Sequence, residues 1–189
     1  MARSAQTELA VLGALSVDPM TGYAIREAIR DVLGHFWSES FGQIYPTLSA
    51  LESRGLVQRQ AGTTSRASSV FEITDAGRDQ LVNLLRQPVQ STPPRNGLLL
   101  RLFFGRALGV DACRDLLLTA QAEAQNLMAE YDQIRAEIQQ DDEHAADRPY
   151  WLLTVSAGEH TARAALLWTQ QALSELAAVE QEKGGSSHR

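Results

Sequence analysis

Residues 40–57 read Ser-Phe-Gly-Gln-Ile-Tyr-Pro-Thr-Leu-Ser-Ala-Leu-Glu-Ser-Arg-Gly-Leu-Val, and this stretch decides the fold. Ser40 has the side chain of a helix N-cap, and Gln43 three residues on completes a capping-box spacing. Ile44, Leu48 and Leu51 recur at helical spacing and make one apolar face. Tyr45 and Pro46 fall in the first turn of that helix, where proline is tolerated. Gly55 is free to adopt left-handed backbone and so ends the helix, and Leu56-Val57 begin an extended segment. The opposite face carries Gln43, Tyr45, Thr47, Ser49 and Arg54, a set of hydrogen-bonding groups rather than a charged coat.

Working outward, residues 5–16 predict a helix with Leu9, Leu12 and Leu15 as its spine, broken by Pro19. Thr21 caps a second helix running to about Gly34, with Ile25, Ile29 and Val32 or Leu33 inward. After the helix from Ser40, the segments LVQRQAG and SSVFEIT flank a Gly-Thr-Thr-Ser turn and predict a β-hairpin. Thr74 caps a fourth helix with Leu81, Leu84 and Leu85 as apolar positions. Three helices, a hairpin and a helix over residues 1–87 fit a winged helix-turn-helix, in which the helix from Ser40 enters a DNA major groove.

Residues 88–97 form a linker, because Pro88, Pro93 and Pro94 prevent helix. Residues 98–182 are all helical in pattern. LLLRLFFG predicts a buried helix, and Asp111 is placed to cap the next one. Leu117, Ala120, Ala124, Leu127, Tyr131, Ile134 and Ile138 then alternate at spacings of three and four, a heptad seam that demands a partner helix. After the acidic loop at 141–144, a long helix runs from Pro149 to about Glu182, with Ala165, Trp168, Ala172, Leu176 and Val179 along one face. Residues 183–189 read as a disordered tail. The fold class is therefore mainly α: a winged helix-turn-helix followed by a helical dimerisation domain.

Hydrophobic residues make up 44% of the 189, enough for a packed core. No apolar run approaches the roughly 18 residues of a membrane span, and Gln6, Thr7 and Glu8 interrupt the N-terminal run that a signal peptide would need. One cysteine, Cys113, excludes an intrachain disulfide and suits a reducing cytoplasm. The net charge of −6 runs against a simple electrostatic DNA binder. Residues 1–85 hold seven Arg and nine acidic groups, whereas residues 86–189 hold ten basic and fourteen acidic groups, so the acidity lies more in the second half. Neutral donors and helix N-termini also hold phosphates, and weak non-specific binding with a modest salt slope is expected.

Several separated motifs agree with one known family. GQIYPTLSALESRGLV at 42–57, Thr21-Gly22-Tyr23 upstream and Phe71-Glu72-Ile73-Thr74-Asp75-Ala76-Gly77-Arg78 downstream resemble the PadR family of bacterial transcriptional regulators. The helical second half is similar in plan to its longer type, which has a virulence-activator-like C-terminal domain. The resemblance implies a dimeric repressor on a pseudo-palindromic double-stranded operator, with C-terminal helices making the homodimer and no cofactor. It implies that Gln43, Tyr45 and Thr47 face base edges or phosphates, that Ser40 and Gly42 offer backbone N–H groups to a phosphate, and that Tyr23 supports the second helix near the strand. The wing departs from the family pattern: Arg66 is the only charge in its turn, leaving Thr63, Thr64 and Ser65 as phosphate donors.

Each reading has a plainer rival. Tyr45 is otherwise a packing residue, Pro46 a helix starter, and Arg54 a charge solvating the helix end. Dimer contacts are expected from the seam or the last helix, through Leu117, Leu127, Tyr131, Ile134, Ile138 and Leu176, with intrachain packing as the rival. Phe103, Phe104, Trp151 and Trp168 are candidates for a small-molecule effector pocket, with core packing as the rival. Asp141, Asp142, Glu143, His144, Glu159 and His160 lack metal-ligand spacing, so no metal is assigned. No catalytic constellation is present, and the chain reads as a non-enzyme. The rival to a DNA-binding regulator is a winged-helix module for protein interaction. A DNA binder should present a neutral or positive surface around the helix from Ser40, and an adaptor an acidic or apolar one.

Overall fold

The computed structural model describes residues 2–33, 41–60, 69–89 and 96–186, with side chains described for 5–30, 42–60, 69–89 and 96–180. The Ser40 cap, the wing turn with Thr63, Thr64 and Arg66, and most of the linker lie outside them. The chain divides into two compact units, residues 1–91 and 92–189.

In the first unit the elements run α1 (Ala2–Val17), β1 (Met20–Thr21), α2 (Gly22–Leu33), α3 (Phe41–Ser53), β2 (Val57–Arg59), β3 (Val70–Ile73) and α4 (Asp75–Leu85). This is the expected winged helix-turn-helix plus one strand that local pattern did not show. The antiparallel sheet has the order β1-β3-β2, with Met20 opposite Phe71 and Val57 opposite Ile73. The core is Val11, Leu12 and Leu15 of α1, Ile25 and Ile29 of α2, Ile44, Leu48 and Leu51 of α3, and Leu56, Val57, Phe71 and Ile73. Leu9 is not part of the spine of α1: the buried positions are Thr7, Ala10, Val11, Leu12 and Leu15, one stripe of the helix. On α4, Leu81 and Leu84 pack on the core and Leu85 is exposed.

The second unit contains α5 (Gly97–Phe103), α6 (Gly105–Leu108), α7 (Val110–Gln140) and α8 (Arg148–Ser186). Arg114 near the start of α7 pairs with Glu180 near the end of α8, and Arg135 near the end of α7 pairs with Glu159 near the start of α8, so the two helices run antiparallel. The heptad seam is filled from within the chain. Leu117, Ala124, Tyr131 and Ile138 are buried on α7, and Val155, Ala162 and Thr169 recur at the same seven-residue step on α8. Gly158 permits the close approach: a Cβ there would stand 2.1 Å from Cζ of Tyr131. The buried Thr169 hydroxyl donates back to the carbonyls of Ala165 and Leu166 at 2.9 and 3.0 Å, so no polar atom is stranded in the seam there.

Three expectations for this unit need correction. The LLLRLFFG segment is not buried within the chain: Phe103 is 82% exposed, and Leu99, Leu100 and Phe104 are exposed beside it. Asp111 does not cap α7, which begins one residue earlier with Gly109 at the N-cap; the Asp111 carboxylate accepts instead from Arg114, at 2.8 Å. Helix α8 continues to Ser186, beyond Glu182 and through part of the stretch expected to be disordered.

Candidate nucleic-acid interface

Helix α3 is fixed from behind and at its C-terminal end, which leaves one face free. Ile44, Leu48 and Leu51 are almost wholly buried against α1 and α2. At the C-terminus Gly55 takes φ +69°, its N–H donates to the Glu52 carbonyl at 2.9 Å, and the Leu56 N–H reaches the Leu51 carbonyl at 2.9 Å. This pair of bonds is a Schellman motif, and the buried Leu51 and Leu56 provide its apolar contact.

Helix α4 then locks that turn. The Thr74 N–H donates to the Leu56 carbonyl at 3.1 Å, and its hydroxyl donates to the Gly55 carbonyl at 2.8 Å while accepting from the Gly77 N–H at 3.1 Å. Gly77 is required by proximity, since a Cβ there would lie 2.0 Å from the Leu56 carbonyl oxygen. The Thr-Asp-Ala-Gly sequence therefore cements the end of α3 to the start of α4.

The outward face of α3 presents Gly42, Gln43, Tyr45, Pro46, Ser49, Ala50 and Ser53 exposed, with Thr47 half-buried. Every one of these side chains is neutral. The acidic residue of the helix, Glu52, is held by Arg59 of β2 through two bonds of 2.7 and 2.9 Å. That contact raises the Arg59 pKa above its ordinary value through the hydrogen bond to Glu52, and the guanidinium also lies 5.2 Å from the centre of the Phe71 ring. Since the helix begins at Phe41, Pro46 sits in its second turn rather than the first. Having no N–H, it leaves the Gly42 carbonyl without a helical partner on the exposed side.

Arg54 is committed elsewhere. Its Nη1 donates to Oε2 of Glu8 on α1 at 2.8 Å, and Gln80 of α4 donates to the other Glu8 oxygen at 2.9 Å. Glu8 and Gln80 carry no local signal in sequence, because they meet Arg54 only across the fold. Tyr23 is exposed on α2, one residue beyond the start of that helix, where Thr21 caps the Ala24 N–H at 3.1 Å. Tyr45 is 42% exposed, and its ring lies against Gly22.

The residues expected to share an effector pocket do not converge within one chain. Phe103, the last residue of α5, and Phe104 just after it meet edge to face with ring centres 5.1 Å apart, beside the start of α7, where Cys113 lies against Gly105. Trp151 packs against the cluster of Tyr131, Ile138, Val155 and Ala162, with its ring 5.5 Å from that of His144, at the other end of the hairpin, on the order of 30 Å away along α7. Trp168 is partly exposed on α8. Leu117, Tyr131 and Ile138 have their seam faces covered by α8, whereas Leu127 is partly exposed. The acidic loop is knitted to itself: Asp141 accepts from the His144 backbone at 3.1 Å and meets its ring at 2.9 Å, and Arg148 donates to Asp142 at 3.1 Å. Among the described residues no cluster of His, Cys, Asp or Glu is arranged for a metal ion. Among them, too, no helix is long and apolar enough to cross a membrane.

Comparison with known proteins agrees with this architecture at both ends of the chain. The model of the transcriptional regulator PadR-like family matches residues 11–83, and that of the virulence activator alpha C-terminal domain matches residues 94–177. The chain belongs to the PadR family of transcriptional regulators. It is 27% identical over 158 residues to the negative transcriptional regulator PadR of Bacillus subtilis, covering 79% of this chain and 86% of that one. The structure of that protein in complex with operator DNA has the same fold (TM-score 0.73, 21% identity, 89% of this chain and 98% of that one), and so does its complex with p-coumaric acid (TM-score 0.70, 21% identity, 89% and 94%). The virulence activator AphA of Vibrio cholerae aligns at TM-score 0.67 with 26% identity, over 92% of this chain and 99% of that one. The family and the relatives named are transcriptional regulators.

Proposed function

We propose that this PadR-family chain is a sequence-specific DNA-binding repressor that works in the cytoplasm as a homodimer and is released by a small molecule. The observation that carries the reading is the outward face of α3: neutral, rich in donors and held rigid by its Schellman turn, Thr74 and the core behind it. An adaptor would present an acidic or apolar face there. Gln43, Tyr45 and Thr47 supply contacts to base edges and phosphates, and Gly42 allows close approach of the backbone. Tyr23, exposed on α2, adds a further contact, and Ser40, Thr63, Thr64 and Arg66 supply contacts to the DNA backbone. Arg54, tied to Glu8, serves the fold first.

Operator binding by the Bacillus relative, and its structure with p-coumaric acid, support DNA as the partner and a small molecule as the signal. Homodimerisation draws on the exposed apolar residues of α5, α6 and α8. The test is footprinting over the DNA adjoining its own gene, together with Gln43→Ala and Tyr45→Ala. Protection of a two-fold site is expected, and the double variant should lose it while keeping its oligomeric state. Failure of the wild-type chain to protect any two-fold site at any salt concentration sinks the reading.

A further inference from the structure

We infer that Gly22, at the first position of α2, is a positioning residue for α3: by lacking a side chain it seats the hydroxyl-bearing end of Tyr45 and so sets where that ring is presented to DNA. The inference rests on the DNA-binding reading above for its consequence, though its geometry stands alone. A Cβ on Gly22 would lie 2.7 Å from Cε1 and 3.1 Å from Cζ of Tyr45, and 3.3 Å from Cδ1 of Leu48. Real Cβ atoms do not come so close to a ring carbon, so any larger residue must displace the ring.

The local backbone does not itself require glycine. Gly22 is not among the glycines of positive φ, which are Gly55 and Gly109. At a helix start alanine is the better helix former, so glycine here costs intrinsic stability. Nor is the contact ordinary core packing. Gly22 is buried, but Tyr45 is 42% exposed, unlike its neighbours Ile44 and Leu48 at 0% and 1%. One side of the ring rests on the second helix, while the residue remains partly open to solvent. Thr21-Gly22-Tyr23 thus acts through a residue 23 positions away: Thr21 caps α2, and Gly22 holds the tyrosine of the facing helix.

The test uses the full chain. Duplexes that bind the wild-type protein are enriched from a randomised library, and one of them, with a scrambled duplex of the same composition, serves as the probe. Gly22→Ala should keep or raise the melting temperature and lose about 10-fold in affinity for the enriched duplex. Tyr45→Ala should lose at least as much, and the double variant should bind like Tyr45→Ala alone. In free protein labelled with fluorotyrosine, the signal that disappears in Tyr45→Phe should move on Gly22→Ala, while those of Tyr131 and Tyr150 stay. A stationary Tyr45 signal overturns the inference, as does an equal affinity loss from Gly22→Ala in the Tyr45→Ala background. If the wild-type chain enriches no duplex, the DNA-binding reading fails and the role in recognition goes with it, while the fluorine spectra separately decide whether Gly22 seats the ring.

Discussion

At the scale of single residues, the first unit depends on the joint between α3 and α4. Thr74 makes three hydrogen bonds there, one of them the N-cap bond to Gly77. Thr74→Val keeps the shape and removes the hydroxyl, so a loss of about 1–2 kcal/mol is expected in urea unfolding. Gly77→Ala should cost more, about 3 kcal/mol, because its new Cβ meets the rigid Leu56 carbonyl and not a movable side chain. A second prediction concerns Glu8, whose carboxylate is largely buried and accepts from both Arg54 and Gln80. Removing Glu8 strands two donors, so Glu8→Ala and Arg54→Ala should not add: a double-mutant cycle read by thermal melting should give a coupling of about 1 kcal/mol. Additive losses would free Arg54 for a direct role on DNA.

At the scale of elements, the α7–α8 hairpin carries a pH dependence. Two hydrogen bonds from Arg135 to Glu159, at 2.6 and 2.7 Å, hold the Glu159 pKa below the ordinary glutamate range, and the hydrogen bond to the His144 ring lowers that of Asp141 in the connecting loop. A carboxylate with a depressed folded pKa adds stability above its unfolded pKa, and that stability is lost as pH falls through the folded value. The contribution of these two carboxylates to the melting temperature should therefore be flat from neutral pH to about 5 and fall below about 4. Glu159→Gln should lower the neutral plateau and flatten part of that fall; an unchanged profile would remove the pair from the account. The elements legible in the sequence were those specified locally. Helix α3 shows its apolar spacing and its stopping glycine, and α4 shows its threonine cap. Strand β1 was illegible because two residues make a strand only by pairing with Val70 and Phe71, about fifty positions away. The Glu8–Arg54 bond spans 46 positions and the Gly22–Tyr45 seat 23, so neither leaves a mark in any local window. The apolar run in α5 was legible as apolar, but a run of leucine and phenylalanine does not say whether its cover comes from the same chain.

At the scale of the whole molecule, that uncovered run bears on assembly. Leu99, Leu100, Phe103, Phe104 and Leu108 are exposed on two short consecutive helices, and the two phenyl rings touch. Monomeric proteins rarely leave apolar groups clustered in this way. Leu117, Tyr131 and Ile138 of the heptad seam are already buried within the chain, and the exposed apolar surface of this unit lies on α5, α6 and the outer face of the hairpin. A two-fold operator is read by two recognition helices about 34 Å apart, and joining them makes the second contact intramolecular. Leu100→Glu with Phe103→Glu places two charges where a second copy is proposed to pack, while disturbing little within the chain. Analytical ultracentrifugation should find wild-type dimers and double-variant monomers, with the helical circular dichroism of the two alike. Affinity for an enriched two-fold duplex should fall by about 100-fold, and affinity for a single half-site should not change. A variant that remains dimeric would move the interface to α8, where Tyr150, Leu153, Leu167, Trp168 and Val179 are exposed. A monomeric variant that bound the full duplex as tightly as wild type would end the case for a dimer as the DNA-reading unit.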